Sequence, residues 1–367
     1  MNERSTSLLH LDYSLKTKRL SPKIREKLAT ELLESLETSF PSGFNLSVVD
    51  KSGIVLRAWG GSARVVPSFV PTSSDTLYDL ASLTKVVATT TLALWLEENR
   101  RWKLKDLVVT WLPGFPRDDL TLYQLITHTS GLTPHRPFFH LGQNLRAIRR
   151  ALYEEAALGT APGEVLYSDL NFILLGWAIT QCTDRSLKQL FKEVVASPLQ
   201  MRATNYRPSA ANRLRTAATE LDGDQRLEPG LIWGKVHDGN AWALNGIAGH
   251  AGLFGPANDL GRFVTALLNP RHHPVLSSST IARMTRVQAG RPPDVRGLGW
   301  RLEPKGWGAW PGGTFWHTGF TGTSLLVAPE ANIGVVLLSN AIHPTRQLER
   351  HADFRTTIHR TIARSLA

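Results

Sequence analysis

The sequence predicts an α+β protein in which one antiparallel sheet of five strands or more is assembled from both ends of the chain. Strand-like segments lie within residues 43–61 and 297–340, whereas helical patterns dominate the residues between them. Amphipathic helical patterns at about 22–38 and 349–365 flank these segments. The simplest packing places the terminal helices against the sheet and inserts a mostly helical domain between its two halves.

The individual strands follow from short apolar segments bounded by turn residues. A hairpin is predicted from "GFNLSVVD" and "IVLRAWGG", which the turn "DKSG" joins. Further strands are predicted for "GLGWRLE", "TFWHTG", "SLLVAP" and "IGVVLLSN", the last two joined by "PEAN". The predicted organisation is an N-terminal extension (1–20), a sheet domain (21–81 and 286–367) and an inserted helical domain (82–285), with a site at the seam.

The composition is that of an ordinary globular protein. The 367 residues are 42% hydrophobic and 20% charged, which is enough to bury a large core. The single Cys182 excludes an intramolecular disulfide, and its position in the helical pattern "NFILLGWAITQC" favours a buried structural thiol. No apolar window is long enough for a membrane span. The N-terminal residues lack a signal-peptide pattern, which predicts a cytoplasmic protein, or a periplasmic or extracellular one if an export signal has been removed.

The chain is basic, with a formal net charge of +11. Basic residues are concentrated in "KTKRLSPKIREK", "RAIRRALY" and "RHADFRTTIHRTIAR". No zinc-ligand spacing, ribonucleoprotein motif or glycine-rich phosphate loop accompanies them. Solvated helix faces therefore explain the charge better than nucleic-acid binding, which stays a weak alternative. We expect a small-molecule or peptide substrate, and the sequence leaves the oligomeric state open.

The stretch "LASLTK" places Ser82 three residues before Lys85 at the start of a long apolar helical pattern. Residues i and i+3 share a helix face, so the hydroxyl and the amine are predicted to lie within hydrogen-bonding reach. Eleven uncharged residues follow Lys85, which predicts a buried amine whose pKa is lowered by desolvation. The pair is then a nucleophile and its base. The alternative is a helix-capping serine and an exposed lysine.

Two further stretches are compatible with a site at the seam. In "GEVLYSDLNF", Tyr167 and Asp169 lie just before a predicted helix, at alternate positions that can face the same way. In "FWHTGFTGTS", His317 and Gly319 lie at the end of a predicted strand, where backbone N–H groups can face a ligand.

Taken in order, Ser-x-x-Lys, Tyr-x-Asp and His-Thr-Gly resemble the motifs of the serine β-lactamase and penicillin-binding-protein superfamily. The resemblance is closest to its class C-like branch, which includes DD-peptidases, D-amino-acid peptidases and carboxylesterases. It covers roughly residues 40–345 and extends to "LITHTSGL", "VHDGNA" and "GIAGHAGLFGPANDLGRF". It implies a β-lactamase/transpeptidase-like fold and an acyl-enzyme mechanism that needs no cofactor and no metal.

The resemblance also implies a role for each matching residue. Ser82 resembles the acylated nucleophile, Lys85 the group that accepts its proton, and Tyr167 the proton relay to the leaving group. The backbone N–H groups of Ser82 and Phe320 would form the oxyanion hole. The substrate-binding residues implied or considered are Asp169, His317, Thr318, Gly319, Asp238 and Asn240.

Two departures from the family pattern affect the expected substrate. Asp169 stands where the pattern most often has Asn, and an ionised carboxylate accepts but cannot donate a hydrogen bond to a substrate carbonyl. Asp169 alternatively pairs with Lys85. His317 replaces the motif lysine and is expected to be only partly cationic at neutral pH. Both departures predict slow β-lactam turnover.

Three histidines need an alternative interpretation. His128 in "THTSGL" is expected to be a hydrogen-bonded packing residue. His237 and His250 flank a glycine-rich stretch and could line the cleft or bind a metal. The spacing suggests no third ligand, so the sequence predicts no metal site.

The sequence therefore predicts a serine hydrolase that acts through an acyl-enzyme on an amide or ester, most plausibly a peptide containing a D-amino acid, as in cell-wall fragments. Two alternatives stay open at this point. One is a carboxylesterase for short acyl esters, and the other is a non-catalytic protein that recognises penicillin.

Overall fold

The computed structural model describes residues 9–12, 20–38, 40–222 and 230–366. Most of the predicted N-terminal extension (1–20) lies outside the described residues. Its segment Leu9–Asp12 does not fit an extension, because it is a strand that pairs with the hairpin strand opposite residues 57–60.

Within the described residues, ten strands form one antiparallel sheet and three short strands form a second. The large sheet has the order β1-β3-β2-β13-β12-β11-β10-β9-β8, and β4 pairs with β3. The strands from the two chain ends meet where β2 pairs with β13, with Leu46 opposite Leu337. The predicted antiparallel sheet built from both ends is thus confirmed. The strands are β1 (Leu9–Asp12), β2 (Gly43–Asp50), β3 (Gly53–Arg64), β4 (Val70–Pro71), β5 (Tyr78–Asp79), β6 (Asn205–Tyr206), β7 (Leu253–Gly255), β8 (Ala289–Arg291), β9 (Asp294–Arg296), β10 (Arg301–Leu302), β11 (Phe315–Thr318), β12 (Ser324–Ala328) and β13 (Ile333–Ser339).

The helices lie mainly between residues 85 and 284, with one long helix at each end of the described chain. The α-helices are α1 (Pro22–Glu37), α2 (Thr91–Glu98), α3 (Val108–Trp111), α4 (Leu122–Ile126), α5 (Leu145–Ala157), α6 (Asp169–Thr183), α7 (Leu187–Leu190), α8 (Ala210–Arg213), α9 (Gly239–Ala243), α10 (Ala257–Leu268), α11 (Ser278–Met284) and α12 (Leu348–Ala363). π-Helical turns span Lys85–Thr90 and Phe191–Ala196, and 3₁₀ turns span Phe138–Leu141, Pro270–His272 and Arg364–Leu366. No helix among the described residues is long and apolar enough to cross a membrane.

The sheet separates two hydrophobic cores because successive side chains of a strand point to opposite faces. In β13, Val335 and Leu337 pack with the terminal helices α1 and α12, through residues such as Leu32 and Ile358. Their neighbours Val336 and Leu338 belong to the larger core, which α10 and the other helices share. All seven residues of β13 are buried, as expected for a central strand covered on both faces.

The N-terminal end of α1 shows how the local sequence starts a helix that packs against the sheet. The Ser21 hydroxyl accepts a hydrogen bond from the N–H of Ile24, and Pro22 occupies the first helical position, where its missing N–H has no helical partner to lose. The side chains of Leu28 and Leu32, one turn apart, are then buried against the sheet. The predicted helix at 22–38 is thereby confirmed to within one residue.

Candidate active site

The short strand β5 leads directly to Ser82, which stands at the start of the helical segment that continues into α2. Ala81, just before it, has a left-handed backbone with φ of +46°. This conformation is unfavourable for a residue with a Cβ, and it is held here because the Ala81 N–H donates to Asp79 Oδ1 at 2.9 Å. The π-helical turn at Lys85–Thr90 follows, a wide turn often found at functional sites.

The structure brings Ser82 and Lys85 together as the i,i+3 spacing predicts. The fully buried Lys85 Nζ donates to Ser82 Oγ at 2.9 Å, to Asp169 Oδ1 at 2.7 Å and to the carbonyl oxygen of His250 at 3.1 Å. Each of the three ammonium protons therefore has an acceptor. The suggested pairing of Asp169 with Lys85 is present.

The expected direction of the Lys85 pKa shift is wrong. Burial lowers the pKa of this amine, but the Asp169 carboxylate and Tyr167 raise it more, and the net shift is upward. The same contact lowers the pKa of Asp169 against the effect of its burial. Lys85 and Asp169 therefore form a charged pair in the resting protein, because each stabilises the ionised form of the other.

Tyr167 lies in the loop before α6, among positive charges. Lys85 Nζ is 5.0 Å from the centroid of its ring, and Arg296 Cζ is 5.4 Å from it on β9. His128 packs against the ring at 4.6 Å between centroids, and its Nδ1 accepts the N–H of Ser168 at 3.1 Å. His128 thus occupies the buried packing position expected for it.

His317 is buried at the end of β11 and faces the cavity. Its Nδ1 lies 2.8 Å from the carbonyl oxygen of Thr318, which can only accept, so Nδ1 carries the proton. Burial, Lys85 and Arg296 hold the pKa of His317 well below its usual value. The imidazole is therefore neutral at pH 7, more so than the sequence suggests. Its Nε2 has no hydrogen-bond partner among the described residues, and this leaves an acceptor for a ligand.

Ser82, Tyr167, Asp169 and His317 line one cavity of about 680 Å³ between the sheet and the helices, and Lys85 lies buried behind them. Its lining contains nine of the residues singled out from the sequence, namely Ser82, Tyr167, Asp169, His237, Asp238, His317, Thr318, Gly319 and Phe320. The N–H groups of Ser82 and Phe320 donate to no backbone or side-chain acceptor among the described residues, which leaves both for a ligand.

Asn240 does not reach this cavity. It is buried in α9, where its Oδ1 accepts the N–H of Phe139 at 3.2 Å and its Nδ2 donates to the carbonyl oxygen of Arg136 at 2.8 Å. The suggested substrate contact for Asn240 is corrected to a structural role, since its amide is occupied in joining two loops. Asp238 does line the cavity, and it caps α9 by accepting the Ala241 N–H at 2.8 Å.

His237 and His250 each pair with one carboxylate. His237 Nε2 lies 2.9 Å from Glu220, and His250 Nε2 lies 2.8 Å from Asp238. No group of three His, Cys, Asp or Glu residues suited to a metal occurs in the described ranges. These two histidines are thus held by carboxylates of the chain itself.

A group of arginines at the Tyr167 end of the cavity was not found from the sequence. Arg296, Arg301 and Arg355 all line the cavity, and the carboxylate Asp294 lies among them. Arg296 Nε is 2.7 Å and Arg301 Nη2 is 3.3 Å from Asp294 Oδ1. These side chains come from β9, β10 and α12, up to 59 residues apart in the chain, so no local motif marks them.

The arginine group has more positive charge than its single carboxylate neutralises. Arg296 Nη1 and Arg355 Nε are buried without a hydrogen-bond partner among the described residues. Burial and the nearby Arg301 lower the pKa of Arg355 to about 10, so it still carries its charge at neutral pH. Buried unpaired guanidinium donors are costly, and an anionic ligand would satisfy them.

The fold and this site define a class of protein: an antiparallel-sheet hydrolase fold with a buried Ser-Lys pair under a cleft. The profile of the Beta-lactamase family matches residues 33–358, so the chain belongs to the β-lactamase family. A protein of Salmonella typhi, provisionally named a D-alanyl-D-alanine carboxypeptidase, is 29% identical over 352 residues, which cover 84% of this chain and 80% of the relative.

Solved structures agree with the fold. EstCE1, described as a hydrolase with promiscuous acyltransferase activity, matches with a TM-score of 0.73 at 21% identity, over 93% of this chain and 98% of that one. A class C β-lactamase matches with a TM-score of 0.73 at 18% identity, over 94% of this chain and 98% of that one. The family and fold inferred from the three sequence motifs are therefore confirmed, and the chain has the fold of a β-lactamase-family hydrolase.

Proposed function

We propose that this protein is a serine carboxypeptidase that forms an acyl-enzyme on Ser82 and releases a C-terminal residue bearing a free carboxylate. The observation that carries this proposal is the arginine group, Arg296, Arg301 and Arg355, at the Tyr167 end of the cavity. An excess of buried guanidinium charge fits the carboxylate of a departing amino acid. The provisional name of the Salmonella typhi relative supports peptides ending in D-alanine.

In the proposed acylation step, Tyr167 takes the Ser82 proton and Lys85 stays protonated. Lys85 begins as an ammonium ion bonded to Ser82 Oγ and Asp169, so it has no free lone pair to accept a proton. As the Tyr167 oxygen accepts that proton, it passes its own proton to the leaving amine, so the Ser82 Oγ–C bond forms, the C–N bond breaks and the phenol is neutral before and after the step. Lys85 and Arg296 lie close to the Tyr167 ring and stabilise negative charge that builds up during this relay. In deacylation, a water molecule attacks the acyl-enzyme and Tyr167 relays the water proton back to Ser82 Oγ.

The tetrahedral intermediates need two hydrogen-bond donors for their oxyanion. The N–H groups of Ser82 and Phe320 fit this role because both border the cavity and no acceptor of the described chain occupies them. Removing one such donor typically costs about 10²- to 10³-fold in kcat.

The position of Tyr167 indicates which end of the cavity would hold the leaving amino acid. The group that protonates the leaving amine must touch it, and Arg296 Cζ lies 5.4 Å from the centroid of the Tyr167 ring, in the same cavity as Arg301 and Arg355. A carboxylate one residue past the scissile bond would therefore meet the arginines. An ester or peptide amide without that carboxylate would leave them unpaired.

The test compares acylated dipeptides ending in D-Ala-D-Ala with their C-terminal amides. We expect the free acid to be preferred by about 10- to 100-fold in kcat/KM, the range of one or two charged hydrogen bonds. Arg355→Gln should remove most of that preference. Arg350→Gln on the same helix is the matched control, because Arg350 is exposed and bonds to Gln347. Equal rates for acid and amide, or faster cleavage of simple esters than of either, would contradict the carboxypeptidase assignment.

A further inference from the structure

Two charged or polar side chains lie against the ring of Phe320. His237 stacks on it, with 5.6 Å between ring centroids and 18° between the planes. Arg346 Cζ lies 5.4 Å from the centroid of the same ring. Phe320 is itself 41% exposed at the rim of the cavity, so burial alone does not fix its position.

Both neighbours of Phe320 are joined to one carboxylate, that of Glu220. His237 Nε2 donates to Oε2 at 2.9 Å, while Arg346 contacts Oε1 through Nε at 2.6 Å and Oε2 through Nη2 at 2.9 Å. Burial raises the pKa of Glu220, but His237 and Arg346 lower it more, so the carboxylate is ionised. Glu220 does not line the cavity, and it therefore has no direct contact with a substrate there.

The same group is connected to the backbone that carries Ser82. The His237 N–H donates to Asp79 Oδ2 at 2.6 Å, and the other oxygen of Asp79 accepts the Ala81 N–H. From the side of Phe320, the Thr321 hydroxyl donates to the carbonyl oxygen of Asp79 at 2.7 Å. The turn before Ser82 and the turn at Phe320 are therefore held to each other by buried hydrogen bonds.

We propose that Glu220, His237 and Arg346 act as a clamp that fixes the N–H of Phe320 opposite the N–H of Ser82. This proposal rests on the proposed function, since it concerns the oxyanion hole of that mechanism. Glu220 is a positioning residue, because it acts through the two side chains that contact the ring of Phe320. The clamp gives a role to the Glu220, His237 and Arg346 cluster, of which only His237 lines the cavity and no member is needed for proton transfer.

The clamp predicts that loss of the Glu220 charge weakens only the binding of states with a tetrahedral oxyanion. A displaced Phe320 N–H weakens binding of an oxyanion, whereas ground-state binding through the arginines is unchanged. In Glu220→Gln, we expect kcat for D-Ala-D-Ala peptides to fall about 10- to 100-fold with KM changed less than about threefold. The affinity for phenylboronic acid, which forms a tetrahedral adduct on a serine hydroxyl, should fall by a similar factor. Glu220→Asp should recover part of both.

The matched control is Glu97→Gln, a partly buried glutamate on α2 that pairs with Arg283 far from the cavity. It should leave kcat and boronate affinity unchanged. If Glu220→Gln does not fold, Arg346→Lys gives the same test, since it keeps the charge but loses the two-point contact with Glu220.

The outcomes separate the clamp from the proposed function. A variant with lowered kcat but wild-type boronate affinity, or with both unchanged, overturns the clamp alone. A wild-type protein that reacts with neither phenylboronic acid nor a fluorophosphonate overturns the serine mechanism and the clamp with it. Parallel losses of kcat and boronate affinity in Glu220→Gln, absent in Glu97→Gln, support the clamp.

Discussion

The two ends of the cavity handle charge in opposite ways. At the Ser82 end, the Lys85 ammonium and the Asp169 carboxylate are 2.7 Å apart and neutralise each other. At the other end, Arg296 and Arg301 share the single carboxylate of Asp294, and Arg355 lines the same cavity as a third guanidinium group. The first arrangement is complete without a ligand, whereas the second has donors that no described residue satisfies.

This difference separates the chemical step from recognition. A closed ion pair next to Ser82, the proposed nucleophile, fixes protonation states before substrate arrives, which is what a preorganised reaction centre requires. An excess of cations has no such role in bond cleavage, but it selects substrates that carry an anion. Substitutions at the two ends should therefore change different kinetic constants.

The largest effect is expected for Ser82→Ala. Loss of the nucleophile should reduce kcat by about 1,000-fold or more and abolish mass gain with a fluorophosphonate or a fluorescent penicillin. The fold should persist, because one hydroxyl at the cavity contributes little packing. Intact-protein mass spectrometry shows whether the variant is still labelled, and the melting temperature shows whether the fold persists. Turnover above a few per cent of wild type would show that Ser82 is not the nucleophile.

Lys85→Met should be nearly as damaging to kcat, and it should also destabilise the protein. Removing one member of a buried ion pair leaves Asp169 uncompensated, which typically costs about 3–5 kcal/mol; because Asp169 is 19% exposed, we expect roughly 2–3 kcal/mol. The double variant Lys85→Met/Asp169→Asn removes both charges. Urea unfolding should show recovered stability, while the hydrolysis rate stays low. A double variant as unstable as the single one would contradict the self-neutralising pair.

Asp169→Asn should change kcat/KM less than the two variants above, and whether kcat/KM rises or falls should depend on the substrate. The amide can donate to the acyl-side carbonyl of a β-lactam, which the carboxylate cannot. We expect a chromogenic cephalosporin to be a poor wild-type substrate beside a nitrophenyl ester or a D-amino-acid anilide, and to gain relative to them in Asp169→Asn. The measured quantity is kcat/KM for the three substrates. A cephalosporin preferred by the wild type would contradict this electrostatic argument.

One part of that argument needs revision. The sequence suggests that replacing the motif lysine by His317 weakens attraction for a β-lactam carboxylate, and the imidazole is indeed neutral. The arginine group supplies positive charge in the same cavity, so attraction for an anion is retained. The expected discrimination against β-lactams then depends on Asp169 alone.

The smallest effect is expected for metal removal. The proposed steps use only side chains, backbone N–H groups and water, and the described residues hold no metal-ligand cluster. Dialysis against a chelator should leave kcat/KM within about 10% of its starting value. A large loss that zinc restores would return attention to His237 and His250.

The sequence predicts the Ser82 end far better than the arginine end. Ser82 and Lys85 are three residues apart on one helical segment, so spacing alone brings their side chains together. Arg296, Arg301 and Arg355 meet only because β9, β10 and α12 pack around one cavity. Tertiary packing of this kind leaves no periodic signal in the chain.

The same reasoning explains why the sequence predicts some strands of the sheet and misses others. Strands β2 and β13 are seven or eight residues long and apolar, so they were recognised. Strands β8 and β9 are only three residues each and contain Gly290, two arginines and Asp294. Short polar strands at the edge of a sheet match the pattern of loops, and neighbouring strands determine their conformation. Asn240 was misassigned for a related reason, since polarity does not distinguish a buried loop-joining amide from a ligand contact.

The pairing of β2 with β13 has a consequence for how the protein is made. Leu46 and Leu337 face each other although about 290 residues separate them in the chain. At a synthesis rate of about 5–20 residues per second, the N-terminal hairpin exists for roughly 15–60 s before its neighbouring strand is translated. During this time one edge of β2 has unpaired N–H and C=O groups, which are prone to pair with other chains. The helices encoded between the two strands can fold meanwhile, but Phe320 lies only 13 residues before Ile333, the first residue of β13, so a nascent chain completes its cleft only near the end of translation.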